Sequence, residues 1–194
     1  MNREGEPELR IVHPPPVRRP PPIPSTVFGM VAFVVTEVMF FGGLMSAHAI
    51  TKASAVVWPP PGQARLPIEA TLFNTTVLLA SGGVLWRSGR LHPKGSAWLR
   101  SALAMGAFFV LFQGFEWARL LSEGFTLASS NHGGFFYLIV GAHALHAVAG
   151  VLALVWAHRQ LRAERLAADV FTAVRIFWYF VVVLWPVLYV RVYL

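Results

Sequence analysis

Five apolar runs, each long enough to cross a bilayer as a helix, occupy this chain at roughly 26–50, 68–88, 97–121, 133–157 and 171–194. About 20 apolar residues span the hydrocarbon, where the backbone must satisfy its own polar groups, and runs of this length do so as helices. The expected fold is therefore an all-α membrane protein, a bundle of five transmembrane helices. The segments between runs carry Pro, Gly or charge: "KASAVVWPPPGQARLP", "RSGRLHPKGS", "SEGFTLASSNHGG" and "HRQLRAERLAAD".

Hydrophobic residues make up 56% of the 194, more than a soluble core of this size requires. There is no cysteine, so disulfides, thiolate metal sites and thiol chemistry are absent. The net charge of +7 lies mostly between the apolar runs and not on one amphipathic face, so it reads as topology and no nucleic-acid partner is expected. Five spans put the two ends on opposite sides. Arg3, Arg10, Arg18, Arg19, Arg87, Arg90, Lys94, Arg100, Arg159, Arg162, Arg165 and Arg175 then share the amino-terminal side, against Lys52, Arg65, Arg119 and Arg191 on the other. Twelve against four predicts a cytoplasmic N-terminus and an external C-terminus.

Residues 1–25 contain eight prolines and no apolar h-region, which predicts an extended cytoplasmic tail and not a signal peptide. Residues 26–194 form the transmembrane domain. The tail is either a polyproline arm in solvent or an arm lying on a neighbouring subunit.

Polar residues inside such spans are costly and therefore informative. In "VVTEVMFFGG", Glu37 sits in a run from Val27 to Ile50 with no other charged side chain. At about 1.5 Å per residue it lies about 16 Å into the first helix, near mid-bilayer. His143 and His146 in "GAHALHAVAG" reach a similar depth from the other side and, three apart, share a helix face. Glu37 is expected to be protonated or paired with one of them, organising helix packing or relaying protons. His48 and Glu116 fall near the external helix ends as a second, shallower pair, with Gln113 one turn from Glu116 and Asn74 one turn into the second helix. Arg87, Arg90, Arg159 and Arg162 signal topology or bind anionic lipid headgroups.

Two carboxylates and an HxxH pair are candidate ligands for iron or zinc, but Glu116 lies too shallow to join the others. No metal site is expected. Two histidines three apart on one helix cannot ligate opposite faces of one haem. No catalytic triad or phosphate-binding loop is found.

"FGMVAFVVTEVMFFGGLMSAH" resembles the third helix of subunit III of haem-copper cytochrome oxidases. Four further blocks follow in family order. "VWPPPGQARLPIEATLFNTTVLLASG" resembles its Trp-Pro-Pro loop and Asn-Thr helix, "LFQGFEWARL" its Gln-x-x-Glu segment, "GAHALHAVAG" its His-x-x-His segment, and "IFWYFVVVLWPVLYVRVYL" its last helix. The family's long form has seven helices, and this chain begins at the third, as five-helix bacterial members do. Where the last helix of the family carries a histidine and an aspartate, this chain has Tyr179 and Val182. Pro186 is expected to kink that helix.

The resemblance implies an accessory subunit without redox centres in a bacterial inner membrane. It implies haem and copper in partner subunits, namely the catalytic subunit I and the electron-entry subunit II. It also implies bound phospholipid and a role in sustaining proton uptake and turnover. On that reading Glu37, His143, His146 and Tyr179 form the intramembrane polar cluster. The alternatives are a related accessory protein of a nitric oxide reductase and, from another class, a small transporter or a metal-dependent membrane enzyme.

Overall fold

Each apolar run becomes one helix. A computed structural model describes residues 23–62, 66–88 and 95–194. The helices are α1 Ser25–Ser54, α2 Ile68–Ser88, α3 Gly95–Ser122, α4 Asn131–Arg162 and α5 Ala168–Tyr193. All five are long and apolar enough to cross a membrane, and no strand occurs among the described residues. Most of the proline-rich tail, and Arg90, lie outside the described residues.

The helix ends follow local chemistry. Ser130 caps α4 by accepting a hydrogen bond from the Gly133 amide at 3.0 Å. Every helix carries a basic residue in its last turn: Lys52, Arg87, Arg119, Arg159 with Arg162, and Arg191. Cations there complement the negative end of the macrodipole. Helix α5 continues through Pro186, so the proline is accommodated within one element.

Contacts between α2 and α3, α3 and α4, α4 and α5, and α5 and α2 close a four-helix ring. Helix α1 stands outside it, packed on α5 and α4 alone. Of its most apolar stretch only 6% is buried, against 56% for α5, which makes α5 the centre of the fold and α1 its periphery. Hydrogen bonds fix the relative directions. Thr26 donates to Asp169 at 2.9 Å, joining the starts of α1 and α5, and the Tyr189 hydroxyl donates to the Ile68 carbonyl at 3.1 Å, joining the end of α5 to the start of α2.

The core is built on aromatic side chains of α5. Trp178 is fully buried and donates its indole N–H to Ser81 Oγ at 3.2 Å. Its ring fills space that two glycines leave open. A Cβ at Gly106 of α3 would stand 2.6 Å from the indole, and one at Gly150 of α4 would stand 2.7 Å from it. Small residues allow close approach where hydrocarbon supplies no hydrophobic drive between helices.

Gly106→Ala and Gly150→Ala are each expected to destabilise the bundle by about 1–3 kcal/mol through overpacking against Trp178. Gly29→Ala, which meets nothing within 4 Å, should be neutral. Unfolding titrations in mixed micelles measure all three.

Candidate functional site

Glu37 and His146 meet between α1 and α4. Their closest atoms, Oε2 and Nε2, are 3.1 Å apart, and the two side chains are 18% and 14% exposed, so the pair is covered but not sealed. The other ring nitrogen of His146, Nδ1, lies 2.7 Å from the Ala142 carbonyl. A carbonyl can only accept, so Nδ1 carries a hydrogen. With Nδ1 protonated, Nε2 of a neutral ring has only a lone pair, and the Glu37 carboxyl must donate to it. In the charged alternative, the imidazolium donates to a carboxylate. Either arrangement makes one hydrogen bond between Glu37 and His146, so neither side chain is left unpartnered in hydrocarbon.

Aromatic rings surround the pair. The His146 ring stands 5.6 Å from Phe41, 6.1 Å from Phe177 and 6.1 Å from Phe180, and Phe33 extends the group through Phe177 at 6.0 Å. These rings come from α1 and α5, so three helices converge on the pair.

His143 does not join Glu37. Rotation by three helical positions turns it toward α3 and α5, where it stacks on Trp185 with ring centroids 4.9 Å apart and meets Phe109 edge-on at 6.4 Å. It is 1% exposed, and neither ring nitrogen has a hydrogen-bond partner among the described residues. Beside it lies a cavity of about 190 Å³ walled by Phe109, Trp117, Val140 and Trp185. The two histidines thus occupy different surroundings although Phe41 touches both. Tyr179 is likewise apart from Glu37: its hydroxyl accepts from Arg175 at 3.2 Å, one turn away on α5.

The expected pairing of His48 with Glu116 is not formed. The two residues match in depth, but α1 and α3 make no contact because α4 and α5 lie between them. His48 instead packs on Trp58 at 5.5 Å and Phe135 at 5.6 Å, and Trp58 in turn meets His132 at 5.0 Å. Gln113 belongs to a separate network. Its amide donates to Tyr193 at 3.1 Å, and Asn74 donates both to the Phe109 carbonyl at 3.1 Å and to Gln113 at 3.4 Å.

Sequence reasoning passed over the partners on α5. Trp185 donates to Thr75 at 2.9 Å, and this bond, those of Trp178 and Tyr189, and Tyr193 on Gln113 run down one side of α5. The seven-residue spacing of Trp178 and Trp185 was the available signal, since positions seven apart return to one helix face. At the opposite end of the bundle from Tyr193, Arg87 lies 5.6 Å over Trp98, while Arg159 and Arg162 are exposed in the last turn of α4. Among the described residues no three His, Asp or Glu side chains converge as metal ligands would.

The chain from residue 23 to 194 matches the family model described as Cytochrome c oxidase subunit III. A probable cytochrome c oxidase subunit 3 of Nocardia farcinica is 31% identical over 173 residues, covering 85% of this chain and 85% of that one. The cytochrome c oxidase subunit 3 of Aepyceros melampus is 34% identical over 180 residues, covering 86% of this chain and 68% of its own length. That of Nanger dama is similar to the same degree. The ordered blocks, five helices and these matches make this chain a member of the cytochrome c oxidase subunit III family.

Proposed function

We propose that this chain is the non-catalytic accessory subunit of a bacterial haem-copper terminal oxidase, bound beside the catalytic subunit I and the electron-entry subunit II in the inner membrane. The arginine-rich end of the bundle faces the cytoplasm in this reading. Haem and copper belong to the partner subunits. This chain holds phospholipid and sustains proton uptake and turnover in the catalytic subunit.

The observation that carries this reading is the partly covered Glu37–His146 pair on a helix that is otherwise open to its surroundings. Pairing allows a carboxyl to remain in hydrocarbon, where an isolated charge is costly. It also pins the peripheral α1 to the ring, so the apolar surface of α1, with Phe28 and Met39 66% and 72% exposed, keeps a fixed shape toward lipid or a neighbouring subunit. A proton resident at that interface can exchange when the pair opens. Sustained proton uptake next door is the use to which such a group fits.

Replacement of Glu37 separates these roles. Glu37→Leu leaves Nε2 of His146 without a partner and should weaken the α1–α4 contact by about 1–2 kcal/mol, whereas Glu37→Gln retains a donor and should cost about 0.5 kcal/mol. In the assembled oxidase, Glu37→Gln is expected to retain subunits and initial rate while losing activity faster during continuous turnover. Unchanged lifetime under turnover, with lipid content also unchanged, would remove Glu37 from this function.

At the arginine-rich end, Arg159→Gln with Arg162→Gln should reduce retention of anionic phospholipid by about fivefold per arginine, from about 1 kcal/mol for each cation near the headgroups. Lipid mass spectrometry of the purified complex reads this directly.

A further inference from the structure

At the bundle end away from Arg87 and Arg159, the start of α2 and the last turns of α3 enclose an open slot of about 450 Å³. Glu69, Glu116 and Glu123 line it together with Arg119, and Leu66 and Leu120 form apolar walls. On α3, positions 116, 119 and 123 recur with helical spacing on one face, so the slot runs about 10 Å down the helix from Glu123 to Glu116. Among the described residues charge within it does not balance. Arg119 is the slot's one cation among them; it pairs with Glu123 at 3.1 Å at the rim, both being solvent-accessible, and no second described cation faces Glu69 and Glu116.

Glu116 is the telling residue. It is 6% exposed, and its Oε2 is buried with no hydrogen-bond partner among the described residues. The nearby Gln113 does not serve it, being committed to Tyr193 and Asn74. A buried carboxyl oxygen in the wall of a cavity, next to a second carboxylate, is a site for a donor-rich cation.

The surface one turn deeper on both helices gives the rest of the ligand. Phe73 follows Glu69 by one turn and Phe112 precedes Glu116 by one turn, with Phe108 a turn beyond. The three rings contact one another at 6.3, 6.3 and 5.7 Å, and Phe73 and Phe108 are 55% and 43% exposed. A polar slot of headgroup size thus opens onto an aromatic strip pointing into the hydrocarbon.

We propose that this slot binds the headgroup of a primary-amine phospholipid, with the ammonium on Glu116 and Glu69, the phosphate on Arg119 and an acyl chain along Phe73, Phe112 and Phe108. A primary ammonium brings three N–H donors to the carboxylates. A quaternary ammonium brings none and favours aromatic cages, and among the described residues no aromatic side chain lines the slot itself. An anionic lipid lacking the amine would face three carboxylates, Glu69, Glu116 and Glu123, against one arginine among the described residues. The inference rests on the membrane-embedded reading of the chain and is independent of the Glu37–His146 pair and of the arginines at the other end.

The test uses the intact complex purified in mild detergent and titrated with fluorescent phosphatidylethanolamine, its N-trimethyl counterpart and phosphatidylglycerol. Wild type is expected to prefer the primary amine. Glu69→Gln with Glu116→Gln should weaken that binding by about tenfold, equivalent to about 1.4 kcal/mol, and leave phosphatidylglycerol binding unchanged. Glu69→Gln alone, on an exposed first turn, supplies a variant that keeps the fold and should show part of the loss. Soluble phosphoethanolamine should compete only weakly if the acyl strip contributes, and Phe73→Ser should then reduce lipid binding further. Equal binding of the primary and trimethyl lipids, or unchanged affinity in the double variant, would overturn the proposal. So would cross-linking of Glu116 to a lysine of a neighbouring subunit that is lost in the double variant while lipid binding persists.

Discussion

Helix α5 has to satisfy four polar aromatic side chains inside a low-dielectric bundle, and the way it does so organises the ring. Trp178 and Trp185 donate to Ser81 and Thr75, Tyr189 donates to the backbone at the start of α2, and Tyr193 accepts from Gln113. Each bond is modest, with interhelical hydrogen bonds in membranes averaging about 0.6 kcal/mol. Their joint effect is directional. Trp178, Trp185 and Tyr189 meet α2 at Ser81, Thr75 and Ile68 in reverse order, which sets an antiparallel register that apolar contacts alone would leave free to slide. The glycines at 106 and 150 then follow as a requirement, because the indole that reaches Ser81 needs their missing side chains.

The polar residues of the bundle divide by what they face. Asn74, Gln113 and Tyr193 form a bonded network within the ring, which is structural. Glu37 and His146 meet between the ring and its attached helix, a contact that can hold a helix in place and can also open. His143 is stacked tightly on Trp185 and contributes through its ring face. Glu116 lines an open slot, with one carboxyl oxygen buried and without a hydrogen-bond partner among the described residues. Polar side chains at comparable depths therefore have different chemistry according to which side of each helix they occupy.

Much of the architecture was legible in the sequence because the membrane reduces the choices. Run length alone demanded five helices, and the five-block order carried the family. Depth was legible too, since rise per residue is fixed, and this put Glu37 level with His143 and His146. Azimuth was not legible. The two histidines are three residues apart, and choosing between them requires knowing where α1 docks on α4. The same gap produced the mistaken pairing of His48 with Glu116: their depths agree, yet two helices stand between them. Side chains such as Ser81 and Thr75 were overlooked because a hydroxyl in an apolar run looks unremarkable until the indole across from it is known.

The peripheral position of α1 has a consequence for how the protein is made. Of these five helices α1 is synthesised ahead of the others, but the helices it packs against, α4 and α5, come last among the five. Glu37 enters the membrane about 110 residues ahead of His146, which at about 5–20 residues per second is a delay of roughly 5–20 seconds. During that interval the carboxyl has no histidine. It must be carried without its partner until α4 has been made and α1 can dock on it. Among these five, the helix made earliest is the last to find its place.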